Sequence, residues 1–227
     1  MENNKNIAIN VTTWNDWQNT VECLESIFHS TYKSFDIILI DNNSEHHHLE
    51  KIYEWAQNKI YVEDEEFKFN PEKKIEIIEV ENNLDIKNPG EKKIYLIKNK
   101  KNIGLTAGLN AGYKFSYKAK YDYIARVDCD FIITKQYLEK MIKVFETDKE
   151  IVALSPKVKH AFIRDSVWWK GITFNWFYLK FQRTMNLKKK RTFDNKNLKG
   201  LIKTDAICGC CSIYKPEIFH NQLRPHK

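Results

Sequence analysis

The stretch Tyr123-Ile124-Ala125-Arg126-Val127-Asp128-Cys129-Asp130 joins a strand-like apolar run to two aspartates separated by one residue. Two carboxylates at the end of a buried strand repel each other, and loss of water raises their pKa unless a cation compensates them. Hard divalent ions such as Mg²⁺ and Mn²⁺ prefer carboxylate oxygens. The stretch therefore suggests a metal site. The alternative, a loop with two solvated aspartates, keeps comparable weight because Asp-x-Asp is a weak motif.

The chain before this stretch alternates strands with helices. Residues 7–11 and 35–40 are short apolar runs that are typical of buried strands. Each is followed by an amphipathic pattern, with apolar stripes at Trp17, Val21, Leu24, Phe28 and at Leu49, Ile52, Tyr53, Ala56. This order predicts right-handed crossovers and a mostly parallel, Rossmann-like α/β sheet flanked by helices.

In such sheets ligands bind at the carboxyl ends of the strands. Three polar loops follow predicted strands and should meet at that edge: residues 12–15, 41–44 and 128–130. This convergence favours the metal site over the solvated loop.

The later elements are predicted with less regular patterns. Residues 58–92 interrupt the alternation and are interpreted as a β-hairpin-like insertion, with strands at 74–80 and 94–98. Further strands are expected at 151–154, 201–207 and 211–214, and Thr134 is a candidate cap for a helix whose core stripe is Leu138, Met141, Ile142 and Phe145.

Three glycines recur every four residues, at Gly104, Gly108 and Gly112. Each would weaken a helix by up to ~1 kcal/mol, so their repetition needs a physical reason. Close approach of a helix to the sheet is one explanation, and approach of a nucleotide or its phosphate to a helix start is the other. Both remain open at this point.

Composition limits the class of protein. The chain has 227 residues with 42% hydrophobic and 13% aromatic content, which suits a packed α/β domain. Residues 1–6 are polar and no apolar run approaches the ~18 residues of a membrane span, so we expect a cytoplasmic protein without a signal peptide. Five cysteines, an odd number, suggest buried thiols; zinc is disfavoured because Cys208-Gly209-Cys210-Cys211 lacks a second ligand pair.

The net charge of +7 leaves two kinds of partner to consider. No nucleic-acid recognition pattern accompanies the lysines, so nucleic acid is not expected as a partner. The run Lys188-Lys189-Lys190-Arg191 is the main basic cluster, and it leaves open a peripheral contact with an anionic inner membrane face. The aromatic stretch that begins at Trp168 and ends at Phe181 is assigned to core or lid rather than to sugar stacking.

Taken in order, these motifs resemble the family-2 glycosyltransferases with the GT-A fold. Val11-Thr12-Thr13-Trp14-Asn15 is similar to the opening strand and its loop, and residues 38–44 resemble the second strand with its Asp-Asn-x-Ser end. Residues 102–112 are similar to the glycine signature of the rhamnosyltransferase-like branch. Residues 128–130 fit the Asp-x-Asp position, and residues 208–213 resemble a Gly-containing strand on the acceptor side.

The resemblance implies a metal-dependent, inverting transfer of a sugar from a dTDP- or UDP-sugar to a glycan or lipid-linked acceptor in surface polysaccharide synthesis. The donor would be bound by a set of polar and aromatic residues at the sheet edge: Thr12, Trp14, Asn15, Asp41, Asn42, Asn102, Gly104 and Asp128. Asp128 and Asp130 would hold Mg²⁺ or Mn²⁺ at the diphosphate. The ion would neutralise charge on the leaving group.

The sequence departs from the family pattern near its end. The family places its catalytic base in an acidic motif beyond the strand at Gly209, and nothing after Glu217 is acidic here. Asp205 precedes Gly209 and does not match, so no catalytic base is named. We expect one domain, cut short at its C-terminus, with a nucleotide-binding half at 1–130 and an acceptor-side half at 131–227. The alternative function is an inactive nucleotide-sugar-binding module of the same fold.

Overall fold

A computed structural model describes residues 5–62, 74–80, 86, 88–161, 163, 166–175, 180–183 and 200–220. The strands are β1 Ile7–Thr13, β2 Phe35–Asp41, β3 Ile77–Glu79, β4 Glu91–Lys98, β5 Tyr123–Val127, β6 Ala153–Leu154, β7 Val158–Lys159, β8 Val167–Trp169, β9 Ile172–Asn175, β10 Lys180–Arg183 and β11 Cys211–Tyr214. The helices are α1 Trp17–Phe28, α2 His46–Ala56, α3 Leu105–Lys118 and α4 Tyr137–Thr147, with a 3₁₀ turn at Pro216–Phe219.

A seven-stranded sheet in the order β3-β4-β2-β1-β5-β11-β6 forms the centre of the fold. The pairs from β3 to β5 are parallel, and β11 and β6 add an antiparallel edge. Every residue of β2 is buried, as an apolar strand covered on both faces requires. The predicted fold class, a mostly parallel α/β sheet flanked by helices, is confirmed.

Alternate residues of the strands feed two separate hydrophobic clusters. Phe35, Ile37 and Leu39 of β2 pack with the apolar stripes of α1, α2 and α4 on one face of the sheet. Ile38 and Ile40 point to the other face, where α3 covers them. The predicted stripes of α1, α2 and α4 lie in the first cluster or against it. Within the described residues, no helix has the length and apolar character needed to cross a bilayer.

The structure corrects the interpretation of residues 58–92 as a β-hairpin-like insertion. β3 pairs with β4 in parallel, through Ile77 with Ile94 and Glu79 with Leu96. A hairpin requires antiparallel neighbours joined by a tight turn, so this segment is instead another crossover that returns to the same sheet. Residues 58–92 therefore contribute β3, the edge strand of the seven-stranded sheet.

Other predicted elements are shorter than expected or absent. Residues 201–207 form no strand, and only a single bridge joins Ala206 to Ile172. Leu201 is 60% exposed, so its apolar character does not come from burial in a sheet. The strand expected at 151–154 is reduced to β6. The N-cap position of α4 is Gln136 rather than Thr134, and the Gln136 side chain makes no capping hydrogen bond.

A buried carboxylate fixes the start of the central strands. Asp36 of β2 is fully buried and accepts hydrogen bonds from the backbone N–H groups of Gly90 and Lys93 and from the hydroxyl of Tyr121. Burial, followed by the charge of Asp36, raises the pKa of Tyr121, which stays protonated as a donor. The three donors tie β2, β4 and the end of α3 together at the amino edge of the sheet.

The three glycines of the repeat are not equivalent in the structure. Gly112 lies so close to the sheet that an added Cβ would be 2.4 Å from Asn10 Oδ1 and 2.7 Å from Ile40 Cδ1. At Gly108 the nearest atom would be Thr12 Cγ2 at an ordinary 3.6 Å. Gly104 lies outside the helix, as its N-cap with φ 80°, a conformation that favours glycine. Close packing on the sheet therefore explains Gly112 alone.

We expect Gly112→Ala to lower the free energy of unfolding by about 1–3 kcal/mol, because the new methyl group has no space against β1 and β2. Gly108→Ala is the matched control one turn away; it should be neutral or stabilising by up to ~1 kcal/mol, since it fits and favours the helix. Urea unfolding of the two variants measures both values. Equal stability of the two variants would contradict the close-packing explanation.

Candidate functional site

The carboxyl ends of four adjacent strands bring the predicted loops together at one edge of the sheet. The register pairs Thr13 at the end of β1 with Asp41 at the end of β2. The Asn42 N–H donates to Thr13 O at 2.9 Å, and the Asn99 N–H donates to Asp41 O at 2.9 Å. The loops that follow β1, β2 and β4 are thus joined by backbone hydrogen bonds, as the parallel topology requires.

The loop after β2 is held in shape by its own polar side chains. Asp41 is only 3% exposed, and its Oδ1 accepts the Ser44 N–H at 3.0 Å. Ser44 Oγ accepts the Asn15 N–H at 2.9 Å, and Asn15 Oδ1 accepts the Glu45 N–H at 2.8 Å. Asn15 has φ 52°, which asparagine tolerates better than most residues. Asn15 therefore bridges the loops after β1 and β2.

Asn42 connects the loop after β2 with the entry to α3. Its Nδ2 donates to Asn102 Oδ1 at 3.0 Å, and its Oδ1 accepts the Ile103 N–H at 3.1 Å. Asn102 Oδ1 also accepts the N–H of Gly104 at 2.9 Å. Asn42 is 3% exposed, so these bonds replace water that it cannot reach. The structure places Asn42 and Asn102 together and uses their amide groups to shape the loop.

Two side chains at this edge take no part in the hydrogen bonds described above. The Trp14 side chain is 54% exposed at the end of the β1 loop. Thr12 Oγ1 is buried yet finds no hydrogen-bond partner among the described residues. A buried hydroxyl without a partner costs free energy, which a bound polar group would recover. Thr12 also faces the position of Gly108 on α3.

Asp128 is the first residue after β5, and its carboxylate is hydrogen-bonded by an arginine of that strand. Arg126 Nε donates to Asp128 Oδ1 at 2.8 Å, and Nη2 donates to Oδ2 at 3.2 Å. The backbone N–H of Asp128 donates to Cys210 O at 2.8 Å, just before β11. Side chains two residues apart lie on the same face of a strand, which explains how this pair forms.

Burial changes the chemistry of the groups around the Arg126–Asp128 pair. Burial is the largest single influence on Arg126 and opposes its charge, but hydrogen bonding to Asp128, the charge of Asp128 and smaller neighbouring charges together raise the pKa of the guanidinium. Burial and the charge of Asp128 raise the pKa of the Cys210 thiol to about 12. Cys210 is therefore a neutral thiol at neutral pH rather than a thiolate. Arg126 was not among the site residues predicted from the sequence, although its Arg-x-Asp spacing at the end of a strand is a usable signal.

Asp130 lies two residues further on and is exposed to solvent. The intervening Cys129 is half-buried, and its pKa is raised to about 11 by burial and by the charges of Asp16 and Asp130. The charges of Asp16, in the loop after β1, and of Asp130, after β5, therefore both act on the Cys129 thiol. In the described ranges, no cluster of three or more His, Cys, Asp or Glu side chains has the geometry to hold a metal ion.

These residues fit a divalent ion whose coordination sphere is completed by oxygen atoms of a bound phosphate. Mg²⁺ is commonly bound through one or two carboxylates together with substrate phosphates, so a three-residue protein site is not required. Asp130 offers an exposed carboxylate for this purpose. Both oxygens of Asp128 already accept hydrogen bonds from Arg126. The assignment of Asp128 and Asp130 as metal ligands stays a prediction, and Asp130 is the better placed of the two.

Two solved glycosyltransferases resemble this backbone. The mannosyltransferase PcManGT from Pyrobaculum calidifontis, in complex with GDP-Man and Mn²⁺, is 15% identical with a TM-score of 0.50, covering 70% of this chain and 37% of that one. TarS 1–349 from S. aureus is 14% identical with a TM-score of 0.51, covering 96% of this chain and 49% of that one. This chain therefore spans less than half the length of either. At such identities the likeness shows the fold alone.

The sequence comparisons identify the family. A search of curated proteins gives no match. The profile described as "Glycosyl transferase family 2" matches residues 8–74 and 79–223, which include all four loops at the sheet edge. Because this match extends over well more than half of the sequence, the chain belongs to glycosyl transferase family 2.

Proposed function

We propose that this chain transfers a sugar from a nucleoside-diphosphate donor to a glycan or lipid-linked acceptor, with the help of a divalent ion. The observation that carries the proposal is the edge of the sheet, where exposed Trp14, buried Asp41 and the unpaired hydroxyl of Thr12 come together. An aromatic face with a few fixed polar groups is what a nucleoside needs. Membership of the family supplies the reaction class.

Within the donor site, the residues fall into two roles. Trp14 would stack on the base, while Thr12 and Asp41 would accept or donate hydrogen bonds to the base and ribose. Asn15, Asn42 and Asn102 would act indirectly, because their polar groups already hold the loops in place. Gly104 would permit close approach of the donor at the start of α3, since nothing lies within 4 Å of its missing side chain.

At the diphosphate, Asp130 would supply the protein oxygen for Mg²⁺ or Mn²⁺. When bound, such an ion neutralises the charge that develops on the departing nucleoside diphosphate. The complex of PcManGT with GDP-Man and Mn²⁺ supports this class of ligand by analogy. The resemblance of residues 102–112 to the glycine signature of the rhamnosyltransferase-like branch would imply a dTDP- or UDP-sugar as the donor. The acceptor hydroxyl would attack the anomeric carbon from the face opposite the departing nucleoside diphosphate. The bond to the diphosphate would break as the new glycosidic bond forms, which inverts the configuration of that carbon.

A second candidate is a binding module of the same fold that lacks transfer activity. Asp205, the acidic residue nearest to the acceptor-side strand, uses its Oδ2 to accept the Phe174 N–H at 2.7 Å. One oxygen of Asp205 is thus committed to the backbone of β9, which fixes the orientation of the carboxylate but leaves its other lone pairs free. Binding of UDP-sugar without sugar transfer or donor hydrolysis would favour this candidate over the enzyme.

The basic run at 188–191 supports a third element of the proposal, a peripheral contact with an anionic membrane face. It lies outside the described residues, so the argument rests on its charge alone. Four adjacent cations contribute roughly 1 kcal/mol each near an anionic surface. A lipid-linked acceptor would be presented at such a surface.

We expect Trp14→Ala to weaken UDP binding by about 1–3 kcal/mol, the usual loss for removal of an aromatic stacking partner of a base. Isothermal titration with UDP and dTDP, each with Mn²⁺, measures the change. Tyr61→Ala is the matched control, because Tyr61 is 60% exposed beyond the far end of α2. An equal effect of both substitutions would remove Trp14 from the proposed base site.

We expect UDP to raise the melting temperature of the protein much more with Mn²⁺ than without it. Asp130→Asn should abolish the metal-dependent part, because the amide is a weaker ligand for a hard cation. Asp148→Asn, at the C-terminal end of α4, should leave that part unchanged. A full metal response in the Asp130 variant would contradict the role proposed for this carboxylate.

We expect the protein to co-sediment with phosphatidylglycerol vesicles, and replacement of residues 188–191 by glutamine to reduce the bound fraction. A control replaces Lys33, Lys114, Lys140 and Lys143 by glutamine and removes the same formal charge from dispersed positions. Because clustered charge binds a surface more strongly than dispersed charge, the control should bind better. Equal binding of the two variants would attribute the contact to net charge alone.

A further inference from the structure

The Arg126–Asp128 pair has the geometry of a fixed structural unit. Two parallel N–H groups of the guanidinium meet the two carboxylate oxygens at 2.8 and 3.2 Å. Such paired, charge-assisted hydrogen bonds are among the strongest in proteins and specify the orientation of both groups. The side chains are only 16% and 22% exposed, so solvent screens this pair less than it screens a surface ion pair.

Neighbouring elements hold the pair from two further directions. The phenol of Tyr113 on α3 interacts electrostatically with Arg126. The segment before β11 supplies the Cys210 carbonyl to the Asp128 N–H, and the charge of Asp128 acts on the Cys210 thiol. A carboxylate with this many partners would have to lose some of them before it could bind a metal ion directly. The structure therefore contains a cation for Asp128 that is part of the chain.

We propose that Arg126 is a positioning residue. It hydrogen-bonds to both oxygens of Asp128 and so leaves Asp130 as the one of the two carboxylates that binds the divalent ion. Consequently the ion binds together with the nucleoside diphosphate and not before it. This inference rests on the proposed function for the donor, but its central claim concerns the ion and the protein alone. Arg126 does not itself contact the donor, and it acts through Asp128.

Charge and ligand number both support this order of binding. With Arg126 present, the formal charges of the three side chains sum to −1, from two carboxylates and one guanidinium. Without Arg126 the sum is −2, and a second carboxylate becomes free to coordinate. A single carboxylate leaves most of the coordination sphere of Mg²⁺ or Mn²⁺ to water, and diphosphate oxygens are the natural replacement.

The test compares Mn²⁺ binding to the intact chain and to Arg126→Met, in the absence of nucleotide, by electron paramagnetic resonance of free Mn²⁺. Methionine approximates the length of arginine but cannot pair with a carboxylate. We expect Arg126→Met to bind Mn²⁺ more tightly than the wild type by about 10- to 100-fold, the usual range for changes around a metal site. Arg126→Met combined with Asp128→Asn should lose that gain.

A purely structural role for Arg126 predicts a different result. In that case Arg126→Met would lower the melting temperature without strengthening Mn²⁺ binding, and that outcome overturns the proposal. Arg126→Lys keeps one positive charge and should retain weak Mn²⁺ binding, since a point charge still neutralises Asp128. If Arg126→Met does not fold, the test is the affinity of the wild-type protein for Mn²⁺ with and without UDP. Its affinity for Mn²⁺ must rise when UDP is added, and tight binding of Mn²⁺ alone overturns the proposal.

The outcomes separate this inference from the proposed function. If the wild type binds neither UDP nor dTDP under any condition, the proposed donor site is wrong. The gain of Mn²⁺ binding in Arg126→Met can still be observed in that case, because it needs no nucleotide. If instead UDP binds with Mn²⁺ but Arg126→Met shows no gain, the donor site stands and the role of Arg126 is wrong.

Discussion

The parallel pairing of β1 with β2 on one side and with β5 on the other is the constraint on which the site depends. These strands are buried on both faces, so a polar side chain inside them needs its own hydrogen-bond partners there, as Asp36 has. The polar residues of the candidate site lie instead where the strands end. Since parallel strands end at the same edge, Thr13 and Asp41 become neighbours, and the turn after β5 joins them.

Sequence patterns predict the central part of this arrangement well. Apolar runs of strand length and helical stripes are local features, and they account for β1, β2, β5 and the helices that cover them. The edge elements are predicted poorly because their form depends on distant partners. The direction of β3 follows from its pairing with β4, and residues 201–207 remain outside the sheet although their composition suits a strand. Neither the direction of β3 nor the position of residues 201–207 outside the sheet can be derived from the periodicity of the local sequence.

The candidate site shows the same limit at the level of side chains. Sequence reasoning placed Asn42 and Asn102 in the donor site, but it could not foresee that they bond to each other across 60 residues of chain. Their amide groups, with those of Asn15, shape the loops before any ligand arrives. Among the described residues of this edge, the Trp14 side chain is exposed and the Thr12 hydroxyl has no hydrogen-bond partner, so neither holds the loops in this way. A site whose loops are fixed in advance loses less entropy when a ligand binds.

The same reasoning applies to the two aspartates at the end of β5. Two carboxylates so close together need compensation, and the sequence suggested that a metal ion provides it. The fold instead compensates one of them from within, because Arg126 lies two residues before Asp128 on the same strand face. The internal ion pair stabilises the turn in the absence of ligand, and the second carboxylate keeps its charge. If Asp130 binds a divalent ion as proposed, a permanent cation of the protein on Asp128 and an exchangeable one from solution on Asp130 would act side by side.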